Sequence, residues 1–160
     1  MNSKVVENII GQLRDIQSGI TWYDDNFEKK IASLAEEKAF ERPIPEIHSV
    51  AELISHIWVW RMDTIKKFKG LQSNLTIESS ENWKSNEELR IIGWEKLKSD
   101  LTKSQIELTN LLADKTDDYL ENNKYEGKYS LKYMVEGIIH HDLYHLGQIG
   151  ITIKLLDMKK

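Results

Sequence analysis

The chain has 160 residues, 40% hydrophobic and 30% charged, with a formal net charge of -4 and a pI near 5.8. That balance suits one soluble globular domain spanning 1–160, and an acidic sum with no Lys/Arg-rich run excludes the electrostatic footprint of a nucleic-acid binder. The absence of cysteine excludes disulfides, thiolate metal ligands and a cysteine nucleophile, so any metal must be held by His, Asp or Glu.

Residues 1–7 carry no apolar stretch of signal-peptide length, and no run approaches about 18 apolar residues. The expectation is a cytoplasmic protein without a membrane span. Only Pro43 and Pro45 interrupt the chain, which favours long helices.

A first helix is predicted from about residue 4 to 19, on Val5, Ile9, Leu13 and Ile16 at three- and four-residue spacing. Asp24-Asp25-Asn26 can cap a second, carrying Phe27, Ile31 and Leu34. It ends before Arg42-Pro43-Ile44-Pro45, where proline disfavours helix in the preceding residue. Ser49-Val50-Ala51-Glu52 has capping-box spacing and opens a helix through Leu53, His56, Ile57 and Trp60 to a stop at Gly70. Residues 71–84 are polar and aperiodic, a long loop by the standard of bundle connections.

A second capping box, Ser85-Asn86-Glu87-Glu88, starts a helix through Leu89, Ile92, Leu97, Leu101, Leu108 and Leu111. Residues 114–127 are polar again, with a short extended piece expected around 119–129. From Ser130 the last helix runs through Met134, Ile138, His141, His145, Ile149 and Ile153 to about Leu156. No repeat, low-complexity tract or linker interrupts this pattern. The economical architecture is all-α, a four-helix bundle with long connections, stabilised by packing its apolar stripes together.

The chain has five histidines, and three of them carry the chemistry. His141 and His145 are four apart on the stripe that also holds Met134, Ile138, Ile149 and Ile153, so both imidazoles face inward from one helix face. His56 lies between Leu53 and Trp60 on the apolar face of its own helix. Three inward histidines from two helices point to a shared divalent metal; the alternative is three unrelated core histidines bonded to carbonyls or carboxylates. His48 precedes the Ser49 cap and is expected at the rim or in solvent. His140 is turned by roughly 100° from His141 and stays outside the ligand set.

Three neutral imidazoles suit zinc or nickel, with iron or manganese as further choices, and leave a position open for water or substrate. Water there can become hydroxide, and a thiol can become thiolate. The stretch His141-Asp142-Leu143-Tyr144-His145 is close to H-E-x-x-H, in which the acid is a general base. Asp is one methylene shorter, and a carboxylate bonding a neighbouring side chain is the favoured role for Asp142. Gln148 either projects toward the site or is a polar residue at the bundle's end. Trp22, Trp58, Trp83 and Trp94 are expected in the core, and Trp60, one turn beyond His56, as a pocket wall.

The segments Ser49-Val50-Ala51-Glu52-Leu53-Ile54-Ser55-His56-Ile57 and His141-Asp142-Leu143-Tyr144-His145-Leu146-Gly147-Gln148-Ile149 together resemble the DinB-like (YfiT-like) metalloenzyme superfamily. Gly19-Ile20-Thr21-Trp22-Tyr23 and Arg42-Pro43-Ile44-Pro45 also look like its members, so the resemblance covers nearly the whole chain. It implies a four-helix bundle with a metal held by one histidine of the second core helix and two of the last, here His56, His141 and His145. It also implies a homodimer, and a kinship with transferases or isomerases that use bacillithiol, mycothiol or glutathione. DNA binding is not implied by the family's name. The leading expectation is a metal-dependent S-transferase using a low-molecular-weight thiol; a metal-dependent hydrolase and a non-catalytic metal-binding stress-response module are the alternatives.

Overall fold

The computed structural model describes residues 3–125 and 127–159. Its helices are α1 (Lys4–Gln17), α2 (Phe27–Ile31), α3 (Glu36–Ala39), α4 (Val50–Phe68), α5 (Asn86–Ile92), α6 (Trp94–Leu112), α7 (Asp117–Asn122) and α8 (Leu131–Asp157). A hairpin of two-residue strands, β1 (Lys124–Tyr125) and β2 (Tyr129–Ser130), pairs antiparallel ahead of α8. Four long helices form the all-α bundle: α4 packs on α6 and α8, and α1 packs on the same two, so α1 and α4 lie diagonally across the core.

The core helices follow their apolar spacing. Val6, Ile9, Leu13 and Ile16 bury one stripe of α1, while Leu53, Ile57 and Ile65 do so on α4. The first free N–H groups of α1 are satisfied from a distance, where Asp117 Oδ1 accepts from Val5 and Val6 at 3.0 Å each. The capping box at Ser49–Glu52 forms as its spacing predicts. Burial would raise the Glu52 carboxyl, but contact with His48 and hydrogen bonds from Arg42 and the Ser49 N–H hold it at about 2.

At 27 residues, α8 is about 40 Å long and spans the bundle. It runs antiparallel to α4: Thr152 near its end donates to the His48 carbonyl at 3.4 Å, just before α4 begins. Among the described residues no helix is long and apolar enough to cross a membrane.

Three expectations need correction. The helix expected from Phe27 toward Arg42 is broken into α2 and α3, because across residues 27–40 only Phe27, Ile31, Ala39 and Phe40 are buried, Leu34 packs on the core only in part, and the apolar stripe is discontinuous. The helix from Ser85 is divided at Gly93, whose φ of +89° is a conformation that side chains strongly disfavour. The polar stretch after Asp114 contains the short helix α7, capped by Thr116 and anchored by buried Leu120, before the extended piece begins.

One side chain joins all four long helices. Arg61 of α4 is fully buried, and its Nε donates to Asp142 Oδ2 of α8 at 2.9 Å. Its Nη1 donates to Gln17 of α1 at 2.9 Å and to the Leu101 carbonyl of α6 at 3.1 Å. Nη2 stands 2.8 Å from the same Asp142 oxygen as an ion-pair contact, without the alignment of a hydrogen bond. The guanidinium also lies over the Phe27 ring at 5.4 Å.

Candidate metal centre

The antiparallel packing of α4 on α8 brings His56 opposite His141 and His145. Ring centroids are 4.9 Å apart for His56 and His141, 4.6 Å for His56 and His145, and 4.4 Å for His141 and His145. One potential ligand atom from each ring lies within 4.8 Å of the others. Among the described residues this is the one group of three or more ligand-type side chains so placed. His56 and His145 are buried, and His141 is part-exposed, which puts the open side of the cluster over His141.

Two of the rings are already oriented. His56 Nδ1 sits 3.0 Å from the Asn82 carbonyl, which can only accept, so Nδ1 carries the proton and Nε2 keeps its lone pair. His145 Nδ1 sits 2.6 Å from Gln148 Oε1, which leaves its Nε2 free in the same way. Metal-bound histidines characteristically donate their other N–H to such an acceptor. The Nε2 atoms of His56 and His141 are 3.0 Å apart, near the roughly 3.3 Å expected between imidazole nitrogens tetrahedrally bound to zinc. The donor set therefore fits a late divalent ion.

Burial reinforces this state. Desolvation, with repulsion from a charged His141 added to it, pushes both His56 and His145 from the ordinary 6.5 down to about 4. Both are neutral near pH 7, as ligands must be. For the metal-free protein the sign follows directly: between pH 6.5 and 4 the unfolded chain binds more protons than the folded one, so stability falls with acidification across that window. We expect the urea midpoint of metal-free protein to drop from pH 6.5 toward 4, with a shallower slope in His145→Gln. A midpoint level across the window would contradict the buried neutral rings.

Aromatic side chains wall the cluster. Trp83 stacks on His56 with centroids 3.9 Å apart and planes 6° from parallel, and His48 stacks on its other face at 3.8 Å and 1°. His48 is thus half-buried at one end of a three-ring stack rather than in solvent. Trp60 stands 6.2 Å from His141, and its Nε1 donates to Asn82 Oδ1 at 2.9 Å. Trp94 is buried and Trp58 and Trp83 half-buried, whereas Trp22 is fully exposed, against the expectation of a core position. It belongs to no helix, so helical spacing cannot orient it. His140 points to solvent, outside the ligand group.

Asp142 is buried with its Oδ2 against Arg61, in the neighbour-bonding role favoured for it over that of a protease base. Gln148 does project to the site. Sequence reading missed Asn82, Trp83 and Arg61. Asn82 and Trp83 lie in the 71–84 loop, where no periodicity marks orientation. Arg61 did leave a signal: Leu53, Ile57, Arg61 and Ile65 are four apart, so a charge interrupts a buried stripe, and Asp142 does the same on α8.

A sequence model describing the DinB superfamily matches residues 21–149. No curated protein and no solved structure matches the chain significantly.

Proposed function

The chain belongs to the DinB superfamily, and from that membership and the geometry of the cluster we propose a metal-dependent S-transferase that uses a low-molecular-weight thiol. The observation that carries it is the donor set: three imidazoles, with no carboxylate in the ligand group. Neutral ligands leave the charge of a divalent ion, zinc or nickel foremost, uncompensated, which favours an anionic partner at the remaining position. When bound, the ion supplies Lewis acidity that lowers the pKa of a thiol or of water.

His56, His141 and His145 hold the ion in this reading. Asn82 and Gln148 keep the Nδ1 protons of His56 and His145 on the outer side of their rings. Trp83 and Trp60 line one flank of the cluster. The transfer itself joins the thiol sulfur to an electrophilic carbon: the S–H proton goes to solvent, and the leaving group departs with the bonding electrons. Thiol chemistry is favoured over hydrolysis because the nearest acidic side chain on α8, Asp142, is buried and paired with Arg61 rather than free to act as a base on water. Homodimerisation belongs to the reading, supported by the exposed apolar side chains Ile20, Trp22, Tyr23 and Ile151.

The test is turnover of an electrophile such as 1-chloro-2,4-dinitrobenzene by zinc- or nickel-loaded protein, with and without bacillithiol, mycothiol or glutathione. We expect turnover that requires both metal and thiol and is lost in His145→Ala. Turnover of ester substrates without thiol would favour the hydrolase. Metal binding with no turnover in any condition would favour the non-catalytic module.

A further inference from the structure

Two buried polar atoms beside the cluster have no hydrogen-bond partner: His141 Nδ1 and Asp142 Oδ1. They are 3.8 Å apart. The other oxygen of the same carboxylate, Oδ2, is held by Arg61 through Nε at 2.9 Å and Nη2 at 2.8 Å. Arg61 is in turn fixed by Gln17 and the Leu101 carbonyl. The carboxylate therefore has one oxygen anchored in the core and one free oxygen beside the ring of a candidate ligand.

We propose that Asp142 is a positioning residue for His141, its free Oδ1 accepting the His141 Nδ1 proton, with Arg61 as the anchor that sets the carboxylate. The proposal rests on the metal reading above. With the proton on His141 Nε2 instead, that N–H would donate to His56 Nε2 at 3.0 Å, but it would occupy the space a shared ion needs. The Nδ1 lone pair would then face a carboxylate oxygen, with two buried acceptors together and no donor. With the proton on Nδ1, a shift of about 1 Å brings both atoms into normal hydrogen-bond range.

That tautomer also completes the cluster. His56 donates its Nδ1–H to the Asn82 carbonyl, and His145 donates its own to Gln148 Oε1. If His141 donates its Nδ1–H to Asp142, Nε2 is the unprotonated nitrogen on all three rings of the cluster. The pair of Nε2 atoms at 3.0 Å then becomes lone pair against lone pair, an arrangement that a shared cation stabilises. The three outer acceptors differ in kind: a backbone carbonyl, a side-chain amide and a carboxylate. Only the carboxylate brings charge, so the hydrogen bond from His141 would be the charge-assisted one of the three. Asp142, adjacent in sequence to one ligand and three residues before another, links the centre to all four long helices through Arg61.

The experiment compares the wild type with Arg61→Met/Asp142→Leu, which replaces the ion pair by apolar side chains and keeps the core filled. Buried ion pairs exchanged in this way are often neutral or stabilising, so the variant is expected to fold. Zinc affinity is measured by competition with a chromophoric chelator, and the His141 ring tautomer by long-range proton–nitrogen NMR of the zinc-loaded wild type. We expect one zinc per chain, an affinity about 10–100-fold weaker in the double variant, and the His141 proton on Nδ1. Equal affinity in a folded double variant overturns the proposal. So does a His141 proton found on Nε2, a readout that needs no variant. Wild-type protein that takes up no zinc overturns the metal reading itself and this inference with it.

Discussion

Protein purified without an affinity tag is expected to carry one divalent ion per chain, and His56→Ala, His141→Ala and His145→Ala are each expected to lose it. The three rings are the whole of the ligand group, so each deletion leaves two imidazoles and a gap filled by water. Removing an outer partner of a metal ligand typically costs about 10–100-fold in affinity, and removing a ligand should cost more. Elemental analysis after desalting reads the loss, and circular dichroism reads the fold. The helical signal should persist, because the stripes on α1, α4, α6 and α8 pack without the cluster. Metal content unchanged in all three variants would sink the centre. His140→Ala is the internal control: the ring is solvent-exposed and outside the group, so its metal content should equal that of the wild type.

The largest effect on stability is expected at Arg61. Neither Arg61 nor Asp142 exposes any side-chain surface, so removing one leaves the other charged, buried and unpaired. Breaking such a pair from one side typically costs about 3–5 kcal/mol, a large share of the roughly 5–15 kcal/mol that holds a domain folded. Arg61→Ala also deprives Gln17 and the Leu101 carbonyl of their donor. We therefore expect Arg61→Ala and Asp142→Ala each to lower the urea midpoint strongly, with Arg61→Met/Asp142→Leu recovering most of the loss. A double variant no better than the singles would mean that the pair contributes attraction in excess of its desolvation. Singles within about 1 kcal/mol of wild type, the level of an exposed ion pair, would mean that water reaches the site.

These two sites show how differently the sequence exposes its contents. The bundle was legible because burial follows periodicity: Val6, Ile9, Leu13 and Ile16 repeat at helical spacing and lie in the core. The capping boxes at Ser49 and Ser85 were legible because their hydrogen bonds are local, spanning three residues. His141 and His145 announced a shared face by the same rule, and His56 joined them only because it sat on another apolar stripe.

The breaks were harder to read. Gly93 divides α5 from α6 within a run that keeps its leucine spacing on both sides, and a single positive φ leaves no mark in that spacing. Asn82 and Trp83 were illegible for another reason. They reach His56 across 26 and 27 residues from a segment with no repeating geometry, and their contacts with it arise only once the chain has closed. Arg61 lay between: its charge within a stripe was visible, but its partners at Gln17 and Leu101 depend on how the four helices are arranged.

The segment that closes over the helices has a consequence for engineering. Asn82 donates to the Ile77 carbonyl through its own amide, accepts from Trp60, and through its backbone carbonyl accepts the Nδ1–H hydrogen bond that settles which nitrogen His56 presents. A designer who grafted the three histidines onto a bare helical hairpin would copy the coordinates of the ligands and omit the part that decides their protonation. Segment 77–83 should travel with any such graft. Its length, unlike that of an ordinary connection, cannot be trimmed without cost.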